Sequence, residues 1–151
     1  MNTKDIKSLE ELLYHSDKQY IKIQLENTKD SIFLHWYASN YNWNDGFEAP
    51  TMILENPACD FGTALLMFHL ADGYRMLENP DQVSNSSLKD WKDFLSKCYM
   101  KLLALDFESQ SISFDPELTQ IQKFKLKKNN PNMPDIFINI SPGNLVEVPK
   151  I

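Results

Sequence analysis

Four places in this 151-residue chain gather side chains able to do chemistry. Asn42, Trp43, Asn44 and Asp45 put two amides, an indole donor and a carboxylate side by side, a set able to hold a polar ligand. The same four residues also suit an Asx-type turn whose side chains bond their own backbone, with Trp43 as a packing anchor. His69 stands three residues before Asp72, the spacing at which a carboxylate orients an imidazole for general-base work on one helix face. A metal would need a third ligand, and His15 and His35 supply no matching spacing, so the alternative is a core or rim histidine bonded to protein.

Cys59 precedes Asp60 at a helix start, where a helix dipole favours a thiolate and the adjacent carboxylate opposes it. Lys123, Lys125, Lys127 and Lys128 interleave with Phe124 and Leu126, a pattern compatible with nucleic acid. A solvated helix end accounts for it better, because the chain is acidic and the run holds no arginine. No nucleophile–base pair, phosphate-cradling loop, GxSxG or CxxC pattern occurs. The expectation is therefore no catalytic residue, no metal and no cofactor.

The elements that position these residues are helical. Ser8–Glu11 and Ser16–Gln19 both read as capping boxes, the first opening a helix with Leu9, Leu12 and Leu13. The second opens a segment in which Ile21, Ile23 and Leu25 also alternate like a strand; the cap favours helix. Asp30 or Thr28 caps the next helix, with Ile32, Phe33, Trp36, Tyr37 and Asn40 on a shared face. Asp45-Gly46 ends it, and Pro50 starts a short helix over 51–55 that Asn56-Pro57 stops.

Asp60 then caps a helix over about 60–72 that is apolar nearly all round, the pattern of an element covered on both sides. Ser87–Asp90 opens an amphipathic helix whose Leu88, Trp91, Leu95, Cys98, Leu102 and Leu105 step by three and four. Asp115-Pro116 opens another, with Leu118, Ile121 and Phe124. Residues 129–151 are β-branched and broken at Pro142-Gly143, suited to a short hairpin or an extended strap. Leu54-Glu-Asn-Pro57 recurs as Leu77-Glu-Asn-Pro80, which suggests short helices stacked in pairs.

Four glycines and this periodicity give a mainly α fold: one domain over residues 1–151, a bundle of short helices around the central apolar one. The net charge of −6 is uneven, with ten acidic and five basic residues in 1–60. That disfavours nucleic acid and anionic membranes and favours a basic partner. Cys59 and Cys98 are read as buried, reduced thiols. The start of the chain has no signal-peptide pattern and no apolar run spans a bilayer, so a cytoplasmic protein is expected.

The words YNWNDGFEAP and NPACDFGTALLMFHLADGYR resemble a family of small bacterial proteins, domain of unknown function 4274. The likeness is strongest over about 34–77 and extends through FDPELTQIQKFKLKK to the Ser-Pro-Gly at 141–143. The family form carries an Asn-Trp-Asp turn where this chain has Asn44. The resemblance implies a compact helical domain and brings no reaction with it. By analogy with other small stand-alone bacterial proteins, it suggests an immunity protein of a contact-dependent growth inhibition or polymorphic toxin system.

The leading expectation is thus a non-catalytic cytosolic protein that neutralises a basic toxin domain, steered by Glu10, Glu11, Asp17, Glu26 and Asp30. The alternative is a small-molecule binder or enzyme with a pocket around Trp43, Asn44, Asp45, His69 and Asp72. A scaffold of stacked helices with several weaker partners is a third reading.

Overall fold

The computed structural model describes residues 3–151, and among them are nine α-helices and no β-strand. The helices are α1 (Thr3–Tyr14), α2 (Lys18–Asn27), α3 (Ser31–Asn40), α4 (Glu48–Glu55), α5 (Phe61–Leu70), α6 (Tyr74–Glu78), α7 (Pro80–Ser84), α8 (Lys89–Leu103) and α9 (Gln120–Asn129). Short 3₁₀ turns occupy Trp43–Asp45 and Asp135–Phe137.

Every residue of α5 from Phe61 to Phe68 is buried, because α3 and α8 pack on either side of it. This is the central helix expected from its unbroken apolar run. α1 packs on α3 and α2 on α4, while α9 closes against α6. One hydrophobic cluster runs through the bundle from Leu9 to Ile138.

Several helix starts differ from the sequence expectation for identifiable reasons. α1 begins at Thr3, so Ser8 lies in mid-helix and caps nothing. Asp17, not Ser16, caps α2 by accepting the Tyr20 N–H at 2.8 Å, and the Ser16 hydroxyl instead donates to the Glu11 carbonyl. Asp30 caps α3 through the N–H groups of Ile32 and Phe33, and the Thr28 hydroxyl accepts the Asp30 N–H. Ile32 is exposed rather than on the buried face.

α8 starts after Leu88, and Ser86, not Ser87, bonds the Leu88 N–H. Its buried stripe is Phe94, Leu95, Cys98 and Leu102, while Leu88 and Leu105 at the two ends are exposed. The helix expected at Asp115-Pro116 begins only at Gln120. Asp115 closes an Asx turn with the Glu117 N–H, and Thr119 with Gln122 makes the full capping box. Ile121 and Phe124 consequently face solvent, and Leu126 is the buried residue of α9.

The C-terminal segment is an extended strap and no hairpin forms. It lies along residues 111–114, where Ser141 N–H donates to Phe114 O, Ser113 N–H to Asn144 O and Asn144 N–H to Ser111 O, all at 2.9 Å. Among the described residues the only ladder feature is a parallel bridge between Ile112 and Asn144. Farther on, the strap crosses α3: Trp36 Nε1 donates to the Glu147 carbonyl at 3.1 Å and Asn40 Nδ2 to the Pro149 carbonyl at 3.0 Å.

The two Leu-Glu-Asn-Pro words take different roles. Asn56 is buried and ties Leu25 and Thr28 to Ala58, whereas Asn79 is exposed and makes no side-chain cap bond. Pro57 follows the end of α4, and Pro80 starts α7. They are not equivalent units of a repeat.

Candidate functional site

The Asn42–Asp45 segment is a self-satisfied turn. Asn42 Oδ1 accepts the Asn44 N–H at 3.0 Å, the Asp45 N–H bonds the Asn42 carbonyl, and Gly46 leaves with φ of 99°. Trp43 points inward, its ring edge-on to Tyr41 at 5.5 Å and to Phe94 at 5.7 Å, with Phe47 beside both. Its Nε1 is buried and has no hydrogen-bond partner among the described residues. The turn thus pins an aromatic cluster and leaves the Asp45 carboxylate exposed on the outside.

His69 and Asp72 do not form an acid–base pair. His69 Nε2 bonds the Phe137 carbonyl at 2.8 Å, and burial lowers its pKa although that bond acts the other way. Asp72 sits at φ of 65° past the end of α5 and pairs with Arg75 at 2.7 Å. Cys59 is buried, its thiol pushed up to about 12 chiefly by burial. Cys98 is likewise buried and raised.

Asp60 has a different task. Fully buried, it accepts from the Gly62 and Ile112 N–H groups on Oδ1 and from the Ser111 N–H and Ser109 hydroxyl on Oδ2. A buried carboxylate given four donors is a structural clamp. In the lysine run, Lys127 bonds the Met133 carbonyl and pairs with Asp135, which ties the end of α9 to the segment that follows it.

Around the Asn42–Gly46 turn lies a set of hollows that share lining residues. A hollow of about 310 Å³ lies among α1, α2, α3 and α4 and includes Tyr37, Tyr41, Asp45, Glu48 and Met52. Asp45, Glu48 and Met52 also line the next hollow, of about 520 Å³, which α2, α4 and α8 enclose. That one shares Gly46, Phe47 and Asp90 with a more open depression of about 1030 Å³ toward Asp72, Arg75 and Trp91.

The middle hollow carries the charge. Glu26, Asp45, Glu48, Glu55, Asp90 and Asp93 line it, against Lys22 and Lys97, so its net sign is negative. Lys97 pairs with Glu55 at 3.4 Å and Lys89 with Asp93 at 2.6 Å, leaving Glu26, Asp45, Glu48 and Asp90 outside any ion pair among the described residues. Phe47 and Met52, both half-buried, supply apolar surface between the carboxylates, over the buried Phe94. Among the described residues no three His, Cys, Asp or Glu side chains converge on a metal position. The carboxylates are spread along a groove, an arrangement matched by an extended run of positive charge.

The acids expected at the partner surface divide. Glu26 lies in this groove, whereas Glu11 and Asp30 line a separate hollow with Asp5, Tyr20 and Gln24. Glu10 is exposed on α1, and Asp17 and Asp30 serve as caps. Of the residues expected in the alternative pocket, Asp45 and Asp72 line different parts of the groove, and Trp43, Asn44 and His69 line none of these hollows.

Sequence reasoning passed over Glu48, Glu55, Asp90 and Asp93. Glu48 and Asp90 stand in the first turns of α4 and α8, where acids suit the helix dipole and call for no further explanation. Only the packing of α2, α4 and α8 brings the six together.

No curated protein and no solved structure shows significant similarity to the chain. Residues 29–103 match the family described as domain of unknown function (DUF4274), a span that holds the turn, α4, α5 and α8. Through that span the chain belongs to the DUF4274 family.

Proposed function

We propose that this chain is a non-catalytic binding protein that docks a basic segment of a protein partner, and that the partner is a toxin domain it neutralises. The observation that carries the reading is the groove among α2, α4 and α8, with six carboxylates, two lysines and an aromatic floor. A negative groove with low-dielectric walls focuses field on an approaching cation and speeds association. Phe47, only half-buried, gives the apolar contact that a purely electrostatic encounter lacks, since binding energy concentrates at aromatic anchors. The immunity role adds the small acidic chain and a cytoplasmic location; among the described residues no helix is long and apolar enough to cross a membrane.

The test is a pull-down with the tagged full chain from its native cell, beside a variant carrying Glu26→Gln, Asp45→Asn, Glu48→Gln and Asp90→Asn. The expected result is one stoichiometric basic partner, lost in high salt and lost from the variant. That partner is toxic when expressed alone and harmless when expressed with this chain. A partner retained equally by the variant overturns the groove; a captured partner without toxicity overturns the immunity role.

A second reading, a small-ligand binder, has one observation in its favour. The hollow beside Tyr37 and Tyr41 is narrower and more enclosed than the rest of the groove, and Asp45 stands at its edge.

A further inference from the structure

We propose that the hollow between α1, α2 and α4 is a site for one organic cation carried on a short apolar stem, of alkylguanidinium or alkylammonium type. The inference goes beyond docking along the groove and stands without it.

Its volume of about 310 Å³ is at the small end of ligand pockets, the size for one small molecule or one side chain. Ile21 and Met52 provide apolar wall and Tyr41 aromatic wall, with Tyr37 buried at the back. Asp45 and Glu48 line the same hollow, and neither has an ion-pair partner among the described residues. Two of the other polar groups are already engaged: Asn42 Oδ1 holds the Asn44 N–H, and the Tyr41 hydroxyl donates to the Gly46 carbonyl at 2.9 Å. The charge on the lining is then concentrated in the two carboxylates, with ring and methylene surface beside them.

That division selects the ligand. An anion is repelled by Asp45 and Glu48, and a neutral polar molecule leaves both carboxylates without a counter-charge. A cation with a stem satisfies both kinds of surface, because carboxylates accept charge-assisted bonds and aromatic faces attract cations. Burial, then the charge of Asp45 and Glu48, pushes the Tyr41 phenol up to about 12, so its ring stays neutral and the two acids are felt at the ring. Lys18 is the one cation on the lining; it is exposed, and it leaves the local balance negative. The occupant is either a free small cation or an arginine or lysine side chain of a bound protein.

The experiment titrates the isotope-labelled full chain with butylguanidinium, N-acetylarginine amide and the neutral isostere N-acetylcitrulline amide, following backbone amide shifts. Both cations are expected to give saturable shifts centred on Tyr41, Asn42 and Met52, with the citrulline compound at least about ten-fold weaker for want of the charge. Asp45→Asn with Glu48→Gln, both exposed positions, is expected to weaken both cations by a similar factor while lowering the urea midpoint only by the small amount that losing an acid from the first turn of α4 entails. Tighter binding of butylguanidinium assigns the site to a free cation, and tighter binding of the arginine amide assigns it to a side chain. Equal binding of the citrulline compound, undiminished binding to the double variant, or no saturable shift in the tens of millimolar overturns the site. None of these readings involves the toxin partner, so failure of this site and failure of the docking reading are separate results.

Discussion

Asp60 Oδ2 accepts the backbone N–H of Ser111 at 2.7 Å, across 51 residues of chain. That bond, with those from Ser109, Ile112 and Gly62, couples the start of the central helix to the segment on which the C-terminal strap rests. Removing the carboxylate leaves buried donors without an acceptor, each costing about 1–3 kcal/mol. Asp60→Ala is expected to lose at least about 3 kcal/mol in urea unfolding, and Asp60→Asn less, since one oxygen survives. An Asp60→Ala midpoint equal to the parent would show that the clamp contributes nothing.

Two glycines predict opposite kinds of damage. A Cβ on Gly62 would fall 1.7 Å from the Ile112 carbonyl oxygen, so Gly62→Ala must push residues 109–114 off α5. Gly46 has open space around it and only a φ of 99° to oppose a side chain. Gly62→Ala is expected to free the strap and open it to limited proteolysis, while Gly46→Ala costs roughly 1 kcal/mol and keeps the strap protected. Equal protease resistance in the two variants would contradict the packing argument.

The contrast between these residues shows what was legible in the chain. Asp60 as a cap and 61–68 as the buried helix follow from local chemistry, an N-cap residue and an apolar run with no polar face. The further role of Asp60 was not legible, because its partners at 109–112 are set by tertiary packing. α9 was misplaced since Asp-Pro is a good helix start in isolation, and only the Asx turn at Asp115 and the better box at Thr119 displace it. The groove was hidden for a similar reason: acids at helix starts read as dipole partners until three helices converge.

His35 is buried and bonds Thr63 through Nδ1 at 2.9 Å. Burial lowers its pKa to about 4, against a smaller opposing effect of Asp60. The unfolded chain, with an ordinary histidine near 6.5, therefore binds the proton first as pH falls. Stability contributed by neutral His35 is full above about 6.5 and is lost on descent toward about 4, at most about 3 kcal/mol. His35→Asn keeps an acceptor near Nδ1 and does not titrate. Its urea midpoint is expected to fall less between pH 7 and pH 5 than the parent's; parallel pH profiles would remove His35 as a source.

Cys59 and Cys98 are free, buried and raised in pKa, mainly by burial. The thiolate is the reactive form, so both are expected to resist iodoacetamide in the folded protein near pH 8 and to react fully in denaturant. Mass spectrometry of the intact chain reads the difference. Rapid native alkylation of either thiol would mean that the bundle opens far more readily than its packing implies.

The last prediction separates two acidic surfaces. Glu10, Glu11, Asp17 and Asp30 lie on the outer side of the N-terminal helices, and Glu26, Asp45, Glu48 and Asp90 lie in the groove. Replacing each set by Asn at aspartates and Gln at glutamates changes the charge equally and retains an oxygen at the caps Asp17 and Asp30. Long-range steering acts on association, so loss of either set by that route alone would slow association with the basic partner and leave dissociation unchanged. A groove that receives the partner also loses close contacts. The groove variant should therefore dissociate at least about ten-fold faster, while the outer variant loses only association rate and part of its salt dependence. Stopped-flow and surface-capture kinetics at two salt concentrations distinguish these outcomes, and equal dissociation rates would move the docking surface away from α2, α4 and α8.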